Sequence, residues 1–138
     1  MNEEFIKTIF NGCSVGNAVG INILELKEGY AKGSLVLKKE HLNVFGSVHG
    51  GIVFILGDHV GGACGNTLGK KAVNVETSIQ YFKPAFEGMV LFAEAHLTHK
   101  GKRIGRIEIK ITNDKLDEIA VMHMIFFITD EHHRREID

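Results

Sequence analysis

Within NVFGSVHGGIVFILGDHVGGACGN, Asn43 to Asn66, an otherwise apolar run with seven glycines carries one acidic residue, Asp58. A carboxylate in such surroundings is costly unless it is paired or used in chemistry. Gly57, Gly61 and Gly65 recur every fourth residue, so on a helix they form one bare stripe open to close approach by a backbone or a ligand. Taken alone, the stripe suits tight packing of a helix on a sheet. Asp58 tips the reading toward function, because Gly61 and Gly62 lie three and four residues on and leave its carboxylate facing a trench.

The helix start supplies a second group. The tripeptide HGG places the backbone N–H groups of Gly50 and Gly51 in the first turn, where they lack intrahelical acceptors and sit at the positive end of the helix dipole. Such donors stabilise negative charge developing on an oxygen. A polarised carbonyl together with a carboxylate is the equipment for acyl transfer to water. The two groups are eight residues apart on one helix, roughly 12 Å along its axis. One reacting carbonyl cannot touch both, so a shared site requires two subunits related by a two-fold axis.

The elements that must position these groups follow from periodicity. Phe5, Ile6, Ile9 and Phe10 predict a short N-terminal helix, stopped by the turn-rich NGCSVGNAVG. INILELKEGYAKGSLVLKK predicts a hairpin turning at Glu28 and Gly29. The glycine-rich run predicts a long helix from His49 to Leu68. AVNVETSIQYF alternates, with Val73, Val75, Thr77, Ile79 and Tyr81 on one face and Asn74, Glu76, Ser78 and Gln80 on the wet one. VLFAEAHLTH, RIGRIEIKIT and IAVMHMIFFIT follow at meander spacing. An amphipathic six-stranded antiparallel sheet burying one face on a single long helix is a two-layer α+β domain.

Composition narrows the functional classes. With 138 residues, 44% of them hydrophobic, the chain suits one globular domain over 1–138. Sixteen basic against seventeen acidic side chains give no field that would draw nucleic acid or an anionic membrane. The longest apolar run, VMHMIFFI, is too short to span a bilayer and reads as a buried strand. Cys13 and Cys64 have no paired spacing and no signal-peptide pattern opens the chain, so a reducing cytoplasm is expected. No metal site is expected: His132 and His133 are adjacent in what reads as a frayed, charged tail, His59 points about 100° away from Asp58, and His123 reads as a core histidine. Phe45, Phe54, Leu56, Phe82 and Phe86 suit either an acyl pocket or the core.

The segments HLNVFGSVHGGIVFILGDHVGGACGN, VNVETSIQYFKPAFEG and HKGKRIGRIEIKITND together resemble the hotdog-fold acyl-CoA thioesterases, in the phenylacetic acid degradation (PaaI-like) branch. The resemblance spans about Asn17 to Thr129, and its mark is an asparagine, HGG six residues on, and an aspartate nine after the histidine: Asn43, His49, Gly50, Gly51 and Asp58. It implies a long helix wrapped by the sheet and a dimer with two interfacial sites, assembled further into a tetramer. It implies that Asp58 is the nucleophile or general base, that the Gly50 N–H polarises the thioester carbonyl, and that Asn43 and His49 line the same pocket. Gly51 and Asn74 fall in the substrate site, Asn74 standing where some relatives carry a serine that assists the attacking water. Lys83, Lys100, Lys102 and Arg103 are candidates to hold the phosphates of coenzyme A, which is part of the substrate, no further cofactor being implied. Two other readings remain: a hotdog hydratase or dehydratase, against which the lack of a histidine paired with Asp58 weighs, and a non-catalytic acyl-CoA-binding or regulatory module.

Overall fold

The computed structural model describes residues 3–133. Helix α1 (Glu3–Asn11) is followed by α2 (Ser14–Val19), the hairpin β1 (Asn22–Lys27) and β2 (Tyr30–Val36), a 3-10 turn at Lys39–His41, and the central helix α3 (Gly50–Asn66). Then come β3 (Lys70–Tyr81), β4 (Val90–Lys100), β5 (Ile104–Asn113) and β6 (Glu118–His132). The strands form one antiparallel sheet in the order β1-β2-β4-β5-β6-β3, leaving β1 and β3 at the edges. This is the hotdog arrangement, with the sheet curled about α3.

Helix α3 presses close because each surface is stripped of side chains where the other projects one. On the sheet, Ala31 and Gly33 of β2 and Ala93 and Ala95 of β4 are small, and a Cβ at Gly33 would come within 2.5 Å of Val60 Cγ2. On the helix, a Cβ at Gly57 would run into Met122 Sδ, and one at Gly61 would lie 2.8 Å from Met124 Cε. The glycine stripe is therefore helix-to-sheet packing against β5 and β6, and the open trench expected beside Asp58 is closed by Met124 and Ile109 at Gly61 and by Phe10 at Gly62. Glycine costs roughly 1 kcal/mol per helix-interior position. Burial of Val53, Leu56 and Val60 in the core shared by helix and sheet, each contributing about 1.5–3 kcal/mol, outweighs it.

Four further expectations change. The segment after α1 is not simply a turn: Ser14–Val19 is helical, and Gly20, at φ 101°, ends it by donating its N–H to the Gly16 carbonyl at 2.8 Å. In the apolar run of β6, alternation buries Met122, Met124, Phe126 and Ile128, while Phe127 and His123 stand on the uncovered outer face. His123 is thus no core histidine; it lies 3.5 Å from Glu108 across the strand pair. His132 belongs to β6, and the His133 ring meets Asn66 Oδ1 at 2.8 Å, so neither residue is frayed; the rest of that tail, 134–138, lies outside the described residues.

Candidate active site

Asp58 sits half-buried in the third turn of α3, on the side facing edge strand β3. Its partner is Asn74, whose Nδ2 donates to Asp58 Oδ1 at 2.7 Å and to Thr77 Oγ1 at 2.5 Å. Strict alternation places Asn74 on the outer, wet face. A β-bulge corrects that: Asn74 pairs with Phe126 and Glu76 with Ile125, so Val75 is an extra residue. Ala72 and Asn74 before the bulge, and Thr77, Ile79 and Tyr81 after it, consequently all face the helix. His59 is no partner of Asp58; its Nε2 meets the Phe10 carbonyl at 3.0 Å and its ring packs edge-on against Phe10. Burial holds the His59 imidazole below its ordinary value, although the Phe10 carbonyl and the Asp58 charge act the other way.

At the start of α3, His49 is the N-cap, with extended backbone and its Nδ1 accepting from the Gly51 N–H at 2.9 Å. The Gly51 donor is therefore engaged within the chain and is not free for a substrate. The Gly50 N–H has no acceptor among the described residues. The Gly50 carbonyl receives the Tyr81 hydroxyl at 2.8 Å. Beside this first turn opens a cleft of about 330 Å³ lined by Val48, Gly50, Val53, Tyr81, Phe82, Lys83, Pro84 and Ile119. Partial burial pushes the Tyr81 phenol above its ordinary value, so it stays a donor across the working pH range.

The remaining expected site residues scatter. Asn43 organises its own loop: Oδ1 accepts from the N–H groups of Phe45 at 2.8 Å and Ser47 at 3.2 Å, and Nδ2 donates to Ser47 Oγ. That loop holds Val44 and Phe45 at 92% and 89% exposure, so Phe45 belongs neither to the core nor to the lining of the cleft. Leu56 is core, whereas Phe82 lines the cleft. Lys83 stands at the cleft, 3.5 Å from Asp117. Lys100 ends β4, Lys102 and Arg103 lie in the turn to β5, and Arg103 is paired with Asp130 at 2.6 Å. The length of β5, roughly 30 Å, separates that turn from Lys83, so the four cations form no single cluster within one chain.

Two residues at the site were not singled out in the sequence. Tyr81 and Thr77 read as ordinary members of an apolar strand face, and only the contacts with Gly50 and Asn74 distinguish them. Among the described residues no group of three or more His, Cys, Asp or Glu side chains converges as a metal site would, and no helix is long and apolar enough to cross a membrane.

The sequence pattern of the thioesterase superfamily matches residues 45–120. A putative esterase of Archaeoglobus fulgidus is 45% identical over 100 residues, covering 71% of this chain and 65% of that protein, a little under two thirds of its length. The acyl-coenzyme A thioesterase PaaI of Escherichia coli is 31% identical over 113 residues, covering 82% of this chain and 81% of the relative. The solved structure of the E. coli PaaI protein, from the phenylacetic acid degradation operon, superposes with a TM-score of 0.87 at 28% identity, covering 91% of both chains.

Proposed function

The chain belongs to the thioesterase superfamily, and from that premise we propose that it hydrolyses the thioester of an acyl- or aryl-coenzyme A to the free acid and coenzyme A. The observation that carries this reading is the treatment of Asp58: a lone carboxylate on the central helix, one oxygen held by Asn74 and the other unclaimed by any side chain among the described residues. A carboxylate so fixed can take a proton from water as general base, a role contributing typically 10²–10⁴-fold, or attack the acyl carbon itself. As general base, Asp58 takes a proton from the attacking water, and the tetrahedral oxyanion collapses by expelling the coenzyme A thiolate, which receives that proton. As nucleophile, Asp58 expels the thiolate to leave an acyl-aspartyl anhydride, which water then hydrolyses to the acid and free Asp58. The Gly50 N–H, at the positive end of α3, is the donor for that oxyanion.

The site is a composite of two protomers in this reading. Asn43 and His49 of the loop before the helix act at the same interface, His49 by holding the first turn. The exposed apolar residues of edge strand β3, Val73 and Val75, and of the loop at Val44 and Phe45, support a covering protomer. Two such dimers pair into a tetramer, each chain acting as one hotdog domain in the cytoplasm, with no cofactor beyond the coenzyme A of the substrate. Lys83 is the cation nearest the cleft, and Lys100, Lys102 and Arg103 reach the nucleotide from another chain. The apolar lining of Val48, Val53, Phe82 and Ile119 suits an apolar acyl group.

Thiol release measured over a panel of acyl- and aryl-coenzyme A substrates tests this. Wild type should turn over at least one member, and Asp58→Asn should lose turnover by two orders of magnitude or more with binding retained. Near-normal turnover in the variant would remove Asp58 from the mechanism. Binding without turnover in wild type would favour the regulatory module instead.

A further inference from the structure

The peptide joining Gly50 to Gly51 is gripped at both ends. Its carbonyl receives the Tyr81 hydroxyl at 2.8 Å, and its N–H donates to His49 Nδ1 at 2.9 Å. The preceding peptide carries the Gly50 N–H, and its carbonyl, that of His49, accepts from Ile52 at 3.0 Å and Val53 at 3.3 Å. These contacts fix the first turn on either side of the one donor left without an acceptor. Tyr81 also crowds this position: a Cβ on residue 50 would lie 3.1 Å from the Tyr81 hydroxyl oxygen and 3.2 Å from Cζ, so a side chain there would push the phenol aside. Tyr81 reaches this point because the bulge at Val75 turns the second half of β3 to face the helix.

We propose that Tyr81 is a positioning residue for the oxyanion donor: its hydroxyl locks the first peptide of α3 so that the Gly50 N–H is aimed at the thioester carbonyl. The inference rests on the thioesterase reading. A donor in an oxyanion hole acts only when it is aligned in advance, since alignment during the reaction would cost the stabilisation it supplies. Loss of the clamp therefore appears in turnover. Substrate binding, dominated by the cleft and the coenzyme A contacts, is spared.

Tyr81→Phe removes only the hydroxyl from a side chain that is half exposed, and is expected to leave folding intact. On the best substrate of the panel, kcat should fall about tenfold with KM changed less than twofold and an unaltered unfolding midpoint. The Gly50 and Gly51 amide resonances should shift in the substrate-free protein, a readout that needs no activity. Gly50→Ala, which crowds the phenol but keeps the N–H, should cost less in the Tyr81→Phe background than in wild type, because the two changes disturb one contact. A kcat within twofold of wild type overturns the proposal, as does a loss confined to KM. Unmoved Gly50 and Gly51 resonances overturn the clamp itself, even in a protein that hydrolyses nothing. A wild type inactive on the whole panel whose amides do shift on substitution keeps the clamp and defeats the thioesterase reading instead.

Discussion

If Gly50 and Asp58 of one site come from different protomers, two dead variants should restore each other. In α3 the two residues are eight positions apart, about 12 Å along the axis at 1.5 Å per residue. A reacting carbonyl needs its donor within about 3 Å and its attacking group at a similar distance, a span of roughly 6 Å at most. Asp58→Asn removes the base or nucleophile while keeping its shape. Gly50→Pro removes the donor N–H at the first helical position, where the backbone tolerates proline, and its Cβ also crowds the Tyr81 phenol. His49, at φ −65° and ψ 132°, already has the conformation a residue before proline adopts. Each homodimer should be nearly inactive. Unfolded and refolded together in equal amounts, they form about half mixed dimers by chance. In each mixed dimer one site joins both defects and the other joins the intact Gly50 to the intact Asp58, so thiol release should return to roughly a quarter of wild type. No recovery, with mixed dimers shown to form and both variants shown to fold, would refute the shared site.

Other outcomes follow from single contacts. Gly57→Ala should lose about 1–3 kcal/mol in urea denaturation because its Cβ meets Met122 Sδ, with Ile111 Cδ1 at 3.3 Å. Gly65→Ala, whose Cβ would meet nothing closer than 3.5 Å, should instead gain up to about 1 kcal/mol from helix propensity. Burial lowers the His59 and His133 imidazoles below 6.5, so the unfolded chain takes up their protons first as the pH falls. Stability should therefore be full above pH 6.5 and decline below it, with a shallower decline in His59→Gln, as read from denaturation midpoints at pH 7.5 and 5.5. Lys100→Ala combined with Lys102→Ala should raise KM for an acyl-coenzyme A about tenfold without changing KM for the matching acyl-pantetheine, since only the former carries the nucleotide phosphates.

Much of the architecture was legible because each element announces itself in a pattern shorter than itself. Phe5, Ile6, Ile9 and Phe10 mark one helix face, Gly29 at φ 77° marks the hairpin turn, and the alternation of β4 to β6 gives their strands and order. Asp58 and Gly50 stood out for the same local reason: a carboxylate among glycines, and N–H groups at a helix start. That the glycine stripe packs the helix on the sheet was legible from its spacing; what fills it was not, because Met122 and Met124 are some sixty residues away in sequence.

The bulge in β3 shows most clearly what local pattern cannot carry. Val75 is apolar and falls where alternation asks for an apolar residue, so nothing in AVNVETSIQYF marks it as surplus. The surplus exists only against β6, where Asn74 and Glu76 take consecutive partners, Phe126 and Ile125. One extra residue reverses which parity faces the helix. Without that reversal, a strand keeping Thr77, Ile79 and Tyr81 inward would turn Asn74 outward, and Asp58 would lose its side-chain donor. Keeping Asn74 inward would instead turn Tyr81 away from the Gly50 carbonyl. Only a strand whose phase changes between these residues can serve the carboxylate and the helix start together, so the irregularity in β3 links the two halves of the chemistry that α3 holds about 12 Å apart.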